Sequence, residues 1–334
     1  IARKMKEKIL TLPNPFGGNL QLYKNTWGKS GEPLSIVSGL QGDHLNGLFL
    51  NSHLTQFLDS VVEGIDPHYT LTGQVQTFPV VNVNAVQSGS RLWPLDGMDM
   101  DLAFPGNPEG ETAEAIASTL YEHTKDSFWG IILASAAPHY EDAPHIQIQK
   151  QDGRIKTMCR DLKIEAVRRQ KETSIQKVNL FYQWQMQDTS SVMISAGSPR
   201  TINPQQCETL FQGILNFMKA EGILKDNRGK KNESKTKTRI YQPDEEISLR
   251  TSTAGMFLKE VKVGSHLKKG QKIGEVRDIY SGKRLEELTA PEEGLLITLR
   301  QYPIVYEKEP IAVLLSGKDN WQKIGHAIKS IVKS

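Results

Sequence analysis

The chain has 334 residues, 38% of them hydrophobic, which is enough to bury a substantial core and to form two domains. A formal net charge of +3 is close to balance, so neither nucleic acid nor a membrane surface is an expected partner. No apolar run reaches the roughly 20 residues of a membrane span, no signal peptide opens the chain, and Cys159 and Cys207 lie far apart without metal-type spacing; a soluble, cytoplasmic protein with two free thiols is expected.

In chain order, Arg3, Lys4, Lys6 and Lys8 read as a solvated basic start. Leu34–Ser38 predicts a short strand that ends at Gly39. Leu45, Leu48, Phe49, Phe57, Leu58, Val61 and Val62 then recur at largely helical spacing, with Asp43 as the expected cap. A strand is expected over Phe78–Val83, followed by a long loop; Thr112 is the expected cap of a helix to about His123, and the continuously apolar Ser127–Ala134 predicts a buried strand. Residues 138–145, Pro-His-Tyr-Glu-Asp-Ala-Pro-His, read as a polar loop. Strands are expected over Asn179–Gln187 and Val192–Ala196. Pro204 opens a helix whose apolar face is Cys207, Leu210, Phe211, Ile214 and Met218, with Gly222 as its stop. This alternation predicts an α/β fold, a mixed sheet covered by helices. Residues 225–238 are polar and aperiodic, and read as a linker or mobile loop between residues 1–224 and a β-rich domain over 239–334, where short strands alternate with Gly255, Gly264, Gly270, Gly274 and Gly294.

The segment Val-Ser-Gly-Leu-Gln-Gly-Asp-His-Leu-Asn-Gly over 37–47 resembles the Gly-x-His-Gly-Asp/Asn-Glu-x-x-Gly signature of the succinylglutamate desuccinylase/aspartoacylase family of zinc carboxypeptidase-like deacylases. Gly39, Gly42, Asp43 and Gly47 fall on the pattern, while Gln41 stands at the His position and His44 at the Glu position. Asn82, Ala85 and Arg91 fit a further Asn-Pro-x-Ala…Arg pattern, with Val83 where Pro is usual. Asp99 to Gly106 resembles the family loop Asp-Leu-Asn-Arg-x-Phe-Pro-Gly, with Asp101 in place of Asn and Leu102 in place of Arg. The resemblance implies a zinc-carboxypeptidase-like α/β domain followed by a smaller all-β domain. The stretch from Ala254 to Gln271 is similar to a barrel-sandwich carrier module, but the comparable later stretch Thr289 to Gly294 lacks the carrier Lys, so the second domain is expected to be structural.

What the resemblance implies about chemistry is a loss. A catalytic zinc needs three protein ligands and an open position. Gln41 offers only a neutral amide, His44 could still ligate, and the third ligand position falls on Ile132 or Ala134, neither of which binds metal. The general-base position falls on Ser195, whose hydroxyl cannot take a proton from metal-bound water at neutral pH. Arg91 stands where the family binds a substrate carboxylate, or pairs with Asp96 or Asp99. With Asp101 present and the Arg at Leu102 absent, an N-acyl dicarboxylate is an unfavourable ligand. The expectation is a non-catalytic binding or regulatory homologue whose cleft, with Arg91, Asp99, Asp101 and His139, takes a small N-acyl amino acid or peptide-like ligand, or a protein partner that meets Trp93, Phe104, Trp129, His139 and Tyr140. The alternative is a metal-dependent amide hydrolase with a rebuilt site for zinc, Mn²⁺ or Fe²⁺, drawn from His139, Glu141, Asp142, His145, Asp43, His44, Asp99 and Asp101.

Overall fold

The computed structural model describes residues 4–14, 17–29, 31–171, 173, 177–229 and 236–317. The chain divides into two compact units, Ile1–Ile240 and Tyr241–Ser334.

In the first unit, β1 (Met5–Pro13) and β2 (Asn19–Trp27) form an antiparallel hairpin. There follow β3 (Leu34–Val37), α1 (Leu45–Val62), β4 (Tyr69–Leu71), β5 (Val75–Phe78), α2 (Val83–Ser88), α3 (Thr112–Thr124) and β6 (Trp129–Ala134). The unit continues through β7 (Tyr140–Ile148), α4 (Gly153–Leu162), β8 (Ala166–Arg169), α5 (Leu180–Met186), β9 (Ser190–Gly197), α6 (Pro204–Ala220) and β10 (Leu224–Asp226). The sheet order is β1-β2-β5-β3-β6-β9-β7-β8, mixed, with β5, β3, β6 and β9 mutually parallel at its centre. β4 and β10 pair separately.

Each face of this sheet buries its own core. On one, Leu50, Leu54 and Leu58 of α1, Met158 of α4, and Ile214 and Phe217 of α6 pack on Ile36, Ile131, Ile146 and Ile194. On the other, Ile116 and Leu120 of α3 and Leu180, Phe181 and Trp184 of α5 pack on Val37, Phe78 and Ile132. Burial on both sides is what makes β3 and β6 read as continuous apolar runs. Cys159 and Cys207 are buried free thiols, which burial pushes up to about 12 and about 11, so neither is reactive at neutral pH.

Several local expectations are corrected. The strand expected over Phe78–Val83 stops at Phe78, because Pro79 has no N–H for the ladder, and Asn82 then caps α2 by accepting from the Ala85 N–H at 3.1 Å. Asn179–Gln187 is a helix rather than a strand: the Asn179 side chain accepts from the Tyr182 N–H at 2.7 Å, and Leu180, Phe181 and Trp184 face one core. Most of the expected polar loop at 138–145 is strand β7, paired with β9 and with His145 fully buried. Thr112 is the first residue of α3, not its cap; the Glu111 N–H ahead of it is taken by the Glu114 carboxylate at 3.0 Å. His44, not Asp43, occupies the cap position of α1, and no side chain caps it. Lys4, Lys6 and Lys8 belong to the first strand or its entry rather than to a solvated tail; Arg3 lies outside the described residues. In the polar run 225–238, Lys225 and Asp226 belong to β10, and 230–235 lie outside the described residues.

At the boundary in sequence lies β11 (Arg239–Tyr241). The second unit contains β12 (Glu246–Arg250), β13 (Gly255–Lys259), β14 (His266–Leu267), β15 (Lys272–Arg277), β16 (Arg284–Thr289), β17 (Gly294–Arg300), β18 (Ile304–Val305) and β19 (Pro310–Ser316). They form two antiparallel layers, β12-β19-β17-β14 and β16-β15-β13-β18, around Phe257, Ile273, Val276, Leu296 and Leu314. The turn from β16 to β17 carries Ala290, Pro291, Glu292 and Glu293 and no lysine.

Candidate functional site

The carboxyl ends of parallel strands are where an open α/β sheet leaves a crevice, and the loop from β3 to α1 occupies that place here. Its glycines are dictated by backbone approach. A Cβ on Gly42 would lie 2.2 Å from the carbonyl carbon of Ala85 and 2.4 Å from the Ser90 oxygen, and one on Gly47 would lie 2.8 Å from the Leu133 oxygen. Gly39 has φ +69°, a left-handed conformation that glycine adopts without penalty. The loop is further tied down by the Asn82 N–H donating to the Gly39 carbonyl at 2.8 Å and the Arg200 N–H donating to that of Asp43 at 2.8 Å. Asn46, at the start of α1, donates to Ser135 Oγ at 3.1 Å and the Ser198 carbonyl at 2.9 Å, and accepts from the Asn203 N–H at 2.8 Å. These buried asparagine contacts were missed in the sequence. Their only signal there is a polar residue on the inward stripe of an otherwise apolar helix.

Within this frame the side chains of Gln41, Asp43, His44, Arg91, Asp99 and Asp101 come together. Gln41 Nε2 donates to Asp99 Oδ1 at 3.2 Å, and the same oxygen accepts the Asp101 N–H at 3.1 Å, capping a short 3₁₀ turn over Met100–Leu102. Arg91 pairs with neither Asp96 nor Asp99. Its guanidinium donates to His44 Nε2 at 3.0 Å and stands 3.8 Å from Asp43 Oδ1. Burial, reinforced by the Arg91 charge, pushes the His44 imidazole down to about 3, so it is neutral and accepts the guanidinium proton with its ring lone pair. Asp43 is 2% exposed; burial raises its carboxyl against the opposing pull of Arg91, and among the described residues its Oδ1 has no hydrogen-bond partner. Asp101 is pushed up to about 7, by burial first and the Asp99 charge second, with the Leu180 N–H acting the other way; its Oδ1 is also without a partner.

The donor set does not fit zinc. Of the residues at the three ligand positions, Gln41 is an amide already bonded to Asp99, and His44 has its Nε2 lone pair occupied by a guanidinium. The third position, Ile132 or Ala134, is a buried apolar residue at the end of β6, in register with Met193 and Ser195 of β9. Ser195 Oγ donates to Asp142 Oδ2 at 3.4 Å in a buried setting, which leaves it no role as a base.

The other sequence candidates disperse. His139 is exposed in a loop with φ +75°, and His145 is buried in β7, with Nδ1 at 2.9 Å from the Ala143 carbonyl and Nε2 at 3.0 Å from the Gln147 amide. No three His, Cys, Asp or Glu side chains among the described residues converge as metal ligands, which corrects the grouping of His139, Glu141, Asp142 and His145 with the aspartates of the cleft. Trp93, Phe104 and Trp129 are 3%, 2% and 6% exposed, so they belong to the cores and offer no contact surface to a partner.

No family model matches the chain. Among curated proteins, the N-alpha-acetyl-L-2,4-diaminobutyric acid deacetylase of Halomonas elongata is 24% identical over 322 residues, covering 87% of each chain. Among solved structures, a succinylglutamate desuccinylase/aspartoacylase from Rhodobacter sphaeroides superposes with a TM-score of 0.76 at 18% identity, over 94% of this chain and 96% of that one. The product-bound ectoine utilization protein EutE (DoeB) of Ruegeria pomeroyi does so with a TM-score of 0.74 at 18% identity, over 94% and 95%. At these identities the likeness establishes the fold. In that fold no helix among the described residues is long and apolar enough to cross a membrane.

Proposed function

We propose that this chain, which has the fold of the succinylglutamate desuccinylase/aspartoacylase proteins, is a non-catalytic binding or regulatory homologue of those deacylases. The observation that carries the reading is the Arg91–His44 contact. A guanidinium at 3.0 Å from Nε2 is held by charge to Asp43, so it competes with any cation for the one imidazole of the cluster. The same cluster keeps Gln41 bonded to Asp99, and Ile132 or Ala134 contributes no donor. Nη1 of Arg91 is thereby engaged with His44 beside Asp43, while its side chain stays 29% exposed. The unused buried atoms of the cluster are carboxyl oxygens, Oδ1 of Asp43 and of Asp101, which favours a ligand that is neutral or cationic at the end reaching it, such as an N-acyl amino acid or peptide with a basic side chain. A protein partner that inserts such a side chain satisfies the same chemistry.

A second reading, a metal-dependent hydrolase of the amide bond of an N-acyl amino acid or peptide, draws on the activity named for the Halomonas relative. The partnerless Oδ1 atoms of Asp43 and Asp101 are the groups it would use.

Elemental analysis of protein purified without added metal separates the two. The first reading expects far less than one equivalent of zinc; near-stoichiometric zinc that resists dialysis would reject it. Because catalytic groups that act as a unit are strongly non-additive, Gln41→His with His44→Glu is expected to raise zinc affinity and still give no turnover. A His at Ile132 or Ala134 and a Glu at Ser195 would also be needed.

A further inference from the structure

The loop that joins β9 to α6, residues 198–203, leaves the carboxyl end of a parallel strand and borders the same crevice as the β3–α1 loop. It is held from several sides. The Gly197 carbonyl accepts the Ala136 N–H at 3.1 Å, the Ser198 carbonyl accepts the Asn46 amide at 2.9 Å and the Thr201 hydroxyl at 3.2 Å, and the Asn203 N–H donates back to Asn46 at 2.8 Å. Midway along it, the Arg200 N–H donates to the Asp43 carbonyl at 2.8 Å, which ties this loop to the one that carries Gln41 and His44.

Two features of Arg200 call for an explanation. Its φ is +60°, a left-handed conformation that is unfavourable for a residue with a Cβ and that persists where surrounding contacts over-determine it, commonly at ligand clamps. Its side chain is exposed and makes no hydrogen bond or ion pair with any described residue. The guanidinium is nevertheless close to the cluster: its charge, like that of Arg91, acts on the Asp43 carboxyl against the effect of burial. The two cations differ in what they have left to give. Nη1 of Arg91 is engaged with His44 beside Asp43, whereas the whole planar fork of N–H donors on Arg200 is unspent. An arginine strained in its backbone and idle in its side chain is not explained by packing.

We propose that Arg200 binds a carboxylate of the ligand of this cleft, so that the ligand is an N-acyl amino acid with a free carboxylate and not a simple amine or an internal stretch of peptide. The inference rests on the reading of the cleft as a binding site. The buried, partnerless carboxyl oxygens of Asp43 and Asp101 favour the neutral or cationic end of the ligand on the inner side, and the exposed Arg200 takes the anionic end on the outer side. A guanidinium suits this task because it offers a carboxylate two parallel hydrogen bonds, and because a pinned backbone leaves less to be ordered on binding. Charge of opposite sign at the two ends of the ligand also fixes the direction in which it enters.

Calorimetric titration of the full chain with N-α-acetyl-L-lysine and N-α-acetyl-L-lysinamide, which share the acetyl group and the basic side chain and differ in the carboxylate, tests this. The acid is expected to bind saturably at one site, and the amide about tenfold or more weakly, as the loss of a charge-assisted hydrogen bond predicts. Arg200→Gln should weaken the acid by a similar factor and leave the amide unchanged, so that the preference disappears while thermal unfolding matches the parent. Arg200→Lys, which keeps the charge without the fork, should fall between. If the two compounds bind equally, or if Arg200→Gln keeps the preference, the assignment of Arg200 is overturned and the reading of the cleft stands. If neither compound binds, the cleft is not a site for this class of ligand and both are overturned.

Discussion

Arg91 adds to the effect of burial on His44 and opposes it on Asp43, because its guanidinium is a positive group that lies against both the buried imidazole of the one and the buried carboxylate of the other. Arg91→Ala should raise the His44 pKa, measured by NMR titration of its ring carbon proton, but only in part, since burial is the larger cause of its depression. The same substitution leaves Asp43 buried with its nearest countercharge gone, so a loss of about 1–3 kcal/mol in urea unfolding is expected. Asp101 supplies a pH dependence of defined sign. Its carboxyl rises from 3.8 to about 7 on folding, so between those values the folded state holds a proton that the unfolded state releases. Stability contributed at this position therefore falls as pH rises through that window, and the penalty is complete above pH 7. Asp101→Asn should be more stable than the parent above neutrality by up to about 4 kcal/mol, with the difference shrinking on acidification and vanishing below the unfolded-state pKa. Equal stabilisation at all pH values would show that the carboxyl is not perturbed. At this scale the sequence announced which residues stand at the motif positions. It could not announce that Arg91 turns inward to His44, because that depends on the 47-residue separation being closed by the fold.

Among the elements, the β3–α1 turn was legible because its requirements are local and steric. Gly39, Gly42 and Gly47 sit where a side chain would meet backbone or demand left-handed φ, so the motif keeps its glycines whatever stands at Gln41 and His44. Gly42→Ala and Gly47→Ala should each cost about 1–3 kcal/mol or more, as over-packing against rigid backbone does. Gly153→Ala, in the first turn of α4 with open space around it, should be neutral or stabilising by about 0.5–1 kcal/mol. Thermal unfolding of the three variants ranks them directly, and equal shifts for all three would refute the close approach. The segments misread in the sequence fail for a shared reason. Asn179–Gln187 is rich in aromatic residues that suit strands, and its helical state is decided by the Asn179 cap and the pocket for Trp184. Strand β7 carries Pro144 and charged residues that suit loops, and its strand state is decided by pairing with β9. Both are tertiary decisions that a local pattern does not carry.

At the scale of the whole chain, the alternation of strands and helices specified the α/β unit, and the glycine-punctuated strands specified the β-rich unit; each buries a core of its own. The turn after β16 lacks a lysine, so intact-mass measurement after expression with biotin and lipoyl ligases should find no added group on the protein. The central proposal is that the fold shared with the deacylases serves binding here and not metal-assisted amide hydrolysis. It is tested most directly by incubating the unmodified protein with N-acetyl-2,4-diaminobutyrate and N-acetylaspartate in the presence of Zn²⁺, Mn²⁺ or Fe²⁺, and measuring release of the free amine. The account predicts no release above the protein-free rate with any of the metals. Metal-dependent release that is abolished both by a chelator and by His44→Ala would contradict it.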